Sequence, residues 1–213
     1  MRRMLLSVLT TALMSLGHHA VAHPHVFVDA RTGFIFDDDG QLTGLRITWT
    51  YDALTSLFLF DTLDLDKDRD GELDDADRAA IAAGETDWPP EYNGDVYLEV
   101  DGAIVPVARP LNAEAWMEDD LISVAFDLPL AEIVSDPDGA LLRLYDPIYY
   151  YAYTILPLED ETPGPCRAEV IPFEPDEATA ELQVKLAALS REETPEQENV
   201  GALFADRVTL TCG

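Results

Sequence analysis

Val26-Phe27-Val28-Asp29-Ala30-Arg31-Thr32-Gly33-Phe34-Ile35-Phe36, then Asp37-Asp38-Asp39-Gly40, then Leu42-Thr43-Gly44-Leu45-Arg46-Ile47-Thr48-Trp49-Thr50, is the stretch on which the fold turns. Val26, Val28 and Ala30 alternate with Phe27 and Asp29, the period of two that a half-buried strand shows. The acidic tetrapeptide ending in Gly40 supplies turn chemistry and the next run returns to strand residues, so residues 25–50 predict a β-hairpin.

Directly after the hairpin the period changes. Leu54, Leu57, Phe58 and Leu65 recur at helical spacing behind Asp52, a good cap residue, which predicts a helix over 52–64. Residues 75–83 are Ala-rich and precede Gly84, so a second short helix is expected to end there. The β pattern then returns. Asp101-Gly102 marks a tight turn between two runs within 95–107, and further strands are expected over 121–128, 141–145, 149–156, 168–173 and 207–212. A late surface helix over 175–190 carries Leu182, Leu186 and Leu189 on one stripe. The expected class is mainly β (α+β): an antiparallel, sandwich-like domain with an EF-hand-like helical insertion at 52–84. The aromatic run Tyr149-Tyr150-Tyr151-Ala152-Tyr153 is expected to be core on one face and cross-strand pairs on the other.

The first residues carry the three parts of a secretory signal: Arg2-Arg3, an apolar run over 4–17, and Ala20-Val21-Ala22. The run falls short of the roughly 20 apolar residues a bilayer span needs. The expectation is a signal peptide over 1–22, cut after Ala22, and a single periplasmic domain over 23–213. Loss of Arg2 and Arg3 takes the formal charge from −29 to −31. A chain so acidic is expected to avoid nucleic acid and anionic membrane and to attract metal ions. Cys166 and Cys212, an even pair in an exported chain, are expected to form one disulfide.

Asp66-Lys67-Asp68-Arg69-Asp70-Gly71-Glu72-Leu73-Asp74-Asp75-Ala76-Asp77 has acids at loop positions one, three, five, nine and twelve, with Gly at six and an apolar residue at eight. Alternate oxygen ligands wrap a hard cation, and Gly at six permits the sharp turn. Asp66, Asp68, Asp70, Glu72, Asp74 and Asp77 are therefore the expected calcium residues. Asp at position twelve reaches less far than the usual Glu, so the site is expected to be weak and structural. The competing reading is a solvated acidic loop.

Cleavage after Ala22 would give His23 a free α-amine beside its imidazole, with the His25 imidazole two residues on. Nickel, cobalt, zinc and copper favour nitrogen donors of this kind, whereas calcium does not. His23, His25 and Asp29, on the same strand face as His25, form the candidate transition-metal set. The competing reading is a pair of surface histidines at a chain terminus. Gly-x-Ser-x-Gly, a free Cys with His, and a Gly-rich phosphate loop are all missing, so no catalytic residues are expected and the protein is read as a binder, not an enzyme.

His23-Pro24-His25-Val26-Phe27-Val28-Asp29-Ala30, Trp49-Thr50-Tyr51-Asp52, the acidic loop, Tyr145-Asp146-Pro147-Ile148-Tyr149 and Gly201-Ala202-Leu203-Phe204-Ala205-Asp206-Arg207-Val208 together resemble the bacterial family called domain of unknown function 1007. The resemblance spans the mature chain. It implies a periplasmic component of a transport system associated with nickel/cobalt-type membrane permeases, hence an accessory protein that binds and passes on metal. The alternative is a calcium-stabilised interaction module that docks on a membrane transporter without binding transition metal. The resemblance leaves Asp52 and Asp146 as motif acids, for which a helix cap and a turn before Pro147 are the structural readings.

Overall fold

The computed structural model describes residues 24–157, 164–190 and 193–213. The expected signal peptide and His23 lie outside the described residues. The described residues form two five-stranded sheets and three helices. β1 (Val26–Phe36) and β2 (Leu42–Tyr51) make the expected hairpin, with Val28 opposite Tyr51. Its turn closes because the Asp37 carboxylate accepts the N–H groups of Asp39 and Gln41 while Gly40 takes a φ of +79°.

Two helices follow, α1 (Ala53–Thr62) and α2 (Asp75–Thr86). Next come β3 (Val96–Val100), β4 (Ala103–Val105), β5 (Leu111–Glu118), β6 (Leu121–Val134), β7 (Leu141–Leu144), β8 (Tyr151–Ile155) and β9 (Cys166–Ile171). α3 (Glu177–Ala187), a 3-10 turn over Val200–Leu203 and β10 (Arg207–Cys212) complete the fold. One sheet has the order β5-β6-β2-β1-β8 and the other β4-β3-β7-β10-β9. Among the described residues all strand pairings are antiparallel except β1 with β8, where Val26 lies opposite Tyr151 in parallel register. Val28, Ile47 and Phe126 from the first sheet and Leu98, Leu142 and Leu210 from the second lie in one continuous core. This bears out the mainly β expectation.

Three differences from the sequence reading have physical causes. α2 does not stop at Gly84 but runs on to Thr86. Its last carbonyls are satisfied without a glycine cap: Asp87 N–H donates to Ala83 O, Thr86 Oγ1 to Ala82 O and Trp88 Nε1 to Glu85 O. β5 has no strand signal in the sequence because it is an edge strand whose only buried residue is Ala115. The apolar stripe that predicts α1 faces outward: Leu54, Leu57 and Phe58 are 72%, 65% and 65% exposed. α1 is held to the sheet by Leu59 and Phe60, packed against the core, and by the buried Ser56, whose Oγ accepts Ile122 N–H and donates to Tyr51 O.

Cys166 and Cys212 are bonded, S–S 2.02 Å, and join β9 to β10 where the two residues lie directly opposite. Among the described residues no helix is long and apolar enough to cross a membrane.

Candidate functional site

The segment between α1 and α2 brings three of the six expected calcium residues together. One carboxylate oxygen each of Asp66, Asp68 and Asp70 lie within 4.8 Å of one another. The loop is wound around Asp66, whose two oxygens accept the N–H groups of Asp70 (2.9 Å) and Gly71 (3.2 Å); Gly71 turns the chain with φ +86°. Leu73 is buried beneath the loop. Asp70's charge, with burial adding to it, pushes the Asp68 carboxyl up, a repulsion that a dication between them relieves.

Glu72, Asp74 and Asp77 stand outside this group. Asp74 caps α2, accepting Ala76 and Asp77 N–H at 2.7 and 2.8 Å. Asp77 returns the capping contact by accepting Asp74 N–H, and it also accepts Asp66 N–H at 3.3 Å. Glu72 is exposed. The donors at the centre are hard oxygens and fit calcium.

At the other end of α2 lies a cleft of about 400 Å³ that opens beside the start of β1. His25, Tyr51, Glu85, Tyr150 and Tyr151 supply its polar lining, and Leu54, Phe58 and Leu59 of α1 its apolar wall. His25 is fixed there by its backbone, whose N–H donates to Tyr150 O at 2.8 Å, and by its ring, 4.6 Å from that of Tyr150. Its Nε2 atom is buried. Tyr51 donates its hydroxyl to the Glu85 carboxylate. Burial pushes the Glu85 carboxyl up, the Tyr51 hydrogen bond only partly opposing it. Burial and then the Glu85 charge raise Tyr51 well above the usual phenol range.

Asp29 does not reach this cleft. It faces outward four residues along β1 from His25, about 13 Å at roughly 3.3 Å per residue. Glu85 is the acid in the lining of this cleft. Nothing in the linear sequence marks Glu85, because it reaches the cleft through the packing of α2 against the sheet.

The remaining motif acids hold backbone. The Asp52 side chain caps α1 through Leu54 and Thr55 N–H and also accepts Phe27 N–H at 2.9 Å, tying helix to strand. Burial works against its charge, but these donors hold its carboxyl below the usual range. Asp146 accepts N–H groups from Ile148, Tyr150 and Tyr151, so the turn before Pro147 aims the two tyrosines. Asp206 accepts Ile155 and Phe173 N–H, both at 2.7 Å. Gly201 lies against the Asp146 carbonyl, where a Cβ would collide with the oxygen.

The tyrosine run is core only in part. Tyr153 is buried and donates to buried Asp95, whereas Tyr150 and Tyr151 line the His25 cleft, and Tyr149 and Tyr151 line a larger one of about 730 Å³ between β8 and β9.

A protein of Haemophilus influenzae, described only as uncharacterized, is 25% identical over 214 residues, covering 97% of this chain and 98% of its own. The sequence profile of the family described as "Protein of unknown function (DUF1007)" matches residues 8–212. That match takes in every segment just described, and the chain belongs to the DUF1007 family.

Proposed function

We propose that the protein is a periplasmic accessory protein that binds a divalent transition-metal ion, nickel, cobalt or zinc, at its processed N-terminus and carries calcium in the 66–77 loop as a structural ion. The observation that carries this reading is the placement of His25, with a buried Nε2, on a cleft lined by polar side chains at the start of β1. Cleavage after Ala22 adds the His23 amine and imidazole to that end of the strand. Imidazole and amine nitrogens suit these ions, and copper(II) is the competitor the same donors admit. The disulfide is in keeping with an oxidising compartment. A nickel/cobalt-type permease is the natural recipient, on the resemblance alone. The reading is of a binder without catalytic residues. In the loop, Asp66, Asp68 and Asp70 hold calcium in an EF-hand-like register and thereby fix the start of α2.

The test is calorimetric titration of the processed chain with nickel, cobalt, zinc and copper in saturating calcium, beside a chain with one Gly added before His23. Binding that the added Gly weakens supports the site, and a correctly processed chain that binds none of the four refutes it. For the loop, 10 mM calcium is expected to raise stability by about 1–3 kcal/mol if affinity is in the range of extracellular modules, and Asp66→Asn to abolish the increment.

A second reading has its own observation. The outward apolar stripe Leu54, Leu57 and Phe58 fits a module that docks on a transporter. Transporter binding that survives loss of every transition metal and fails in Leu57→Ser/Phe58→Ser would favour it.

A further inference from the structure

We propose that the outer face of the second sheet carries a binding site for a small organic oxoanion, a carboxylate or phosphate monoester with an apolar body, held by Arg143 and Arg207. The site stands apart from the His25 cleft and the acidic loop and depends on neither.

Strand register sets the two arginines side by side. Arg143 of β7 lies directly opposite Arg207 of β10, with Tyr97 of β3 at one end of this row and Ile171 of β9 at the other. Leu142, Leu144 and Val208, their neighbours in sequence, belong to the core, so the row points away from the first sheet. Side chains directly opposite on adjacent strands stand about 5 Å apart at Cβ, and like charges placed so repel. A chain of net charge −29 with 13 lysines and arginines thus sets two of them where they oppose folding. An anion bound between them reverses that sign.

The fold uses little of their hydrogen-bonding capacity. Arg143 Nη2 stands 3.6 Å from a Glu99 oxygen, beyond hydrogen-bond length, and its Nε is buried without a partner. Its guanidinium carbon lies 5.6 Å from the centre of the Tyr145 ring, which stacks on Tyr97 at 3.9 Å. The aromatic pair and Glu99 therefore fix its direction. Arg207 is exposed and, among the described residues, has neither an ion pair nor a side-chain hydrogen bond. Each guanidinium offers a planar fork of five N–H donors that matches carboxylate and phosphate oxygens two at a time.

A cleft of about 560 Å³ is lined by the pair, a size usual for small-molecule sites. Ile171, Phe173 and Leu203 supply apolar wall, and Leu203 is 42% exposed. Glu174 is the acid in this lining, so the two arginines leave it net positive. Buried Asp206 accepts the Phe173 N–H at 2.7 Å and so ties the segment after β9 to the start of β10 beside Arg207. Guanidinium groups beside exposed apolar surface favour an anion with an apolar body over a bare one.

The experiment titrates the purified chain by calorimetry with phenyl phosphate and, separately, phenylacetate, which tells the two head groups apart; binding of either supports the site. Salt is kept at roughly 0.15 M, where charges more than about 8 Å away are largely screened. A dissociation constant below about 1 mM is expected, with inorganic phosphate at least about 10-fold weaker than phenyl phosphate for want of the ring. Arg143→Gln and Arg207→Gln are each expected to weaken binding about 10- to 100-fold and Leu203→Ser about 5-fold. Arg167→Gln, which removes the same charge from an exposed position of β9 outside the lining, is expected to change nothing.

Without ligand, Arg207→Gln is expected to melt no lower than Arg167→Gln, because it loses the same charge and relieves the repulsion from Arg143. A lower melting temperature would make Arg207 a structural residue and overturn the account of the pair. Should Arg143→Gln not fold, Arg143→Lys, which keeps the charge but loses the fork, carries the expectation of weaker binding. A wild type that binds neither phenyl compound, or an Arg207→Gln chain that binds as tightly as the wild type, overturns the proposal.

Discussion

Asp95 is 4% exposed, and replacing it with Asn leaves its shape and its hydrogen bond from Tyr153 while removing its charge. Asn also tolerates the positive φ of 56° at this position. Burial, reinforced by the Asp146 charge, raises the Asp95 carboxyl from 3.8 to about 7, with Tyr153 and Tyr92 only partly opposing the shift. Between pH 4 and 7 the unfolded chain therefore gives up this proton while the folded chain retains it. Stability falls across that window and levels off above it.

The interval from 3.8 to about 7, at 1.36 kcal/mol per unit, amounts to about 4 kcal/mol. Asp95→Asn does not ionise, so it should match the wild type near pH 4 and exceed it by up to about 4 kcal/mol at pH 8. Urea unfolding of both proteins at each pH unit from 4 to 8 reads this directly. Repulsion among the other carboxylates is common to the two chains and cancels in their difference. A difference that does not change with pH, or a less stable Asn variant at pH 8, would refute the account of this buried acid.

Reduction of the Cys166–Cys212 bond, which spans 46 residues, should cost about 4 kcal/mol in the chain-entropy picture and lower the melting temperature by about 10 °C in a calorimetric scan with reductant. Asp52→Ala removes the α1 cap and the tie to Phe27, so it should destabilise by about 2 kcal/mol at pH 7. Since these donors hold the Asp52 carboxyl low, that loss should shrink as pH falls through the folded pKa, as denaturation at pH 7 and pH 2.5 would show. Gly201→Ala forces a Cβ onto the Asp146 carbonyl and should cost about 3 kcal/mol, with loss of near-ultraviolet tyrosine signal as Tyr149 and Tyr150 shift.

Wherever a segment's own neighbours decide its structure, the sequence was sufficient. The hairpin followed from alternation plus Asp37 and Gly40; the cap of α1 followed from Asp52; and the Asp101-Gly102 turn takes the positive φ at both residues that such a turn needs. The disulfide followed from composition. Features created by the second sheet or by packing left no linear trace. β5 buries one residue and so alternates with nothing. The α1 stripe has the right period but the wrong side, because period reports a face and not what covers it. In the candidate site, the clustering of the loop acids Asp66, Asp68 and Asp70 followed from their spacing. The place of Glu85 in the cleft lining did not, since α2 brings it there only by packing against the sheet, and Asp29 lies on an exposed position outside that lining.

The parallel pairing of β1 with β8 has a kinetic consequence. Val26 meets Tyr151 only after a loop of more than a hundred residues closes, while the β1–β2 hairpin needs a local turn alone. Hairpins form in microseconds, and contacts of high sequence separation come late. The walls of the His25 cleft come from both ends of that long loop, so the cleft exists only in chains that have finished folding. On the metal-binding reading proposed above, an ion captured there would report that the chain had finished folding.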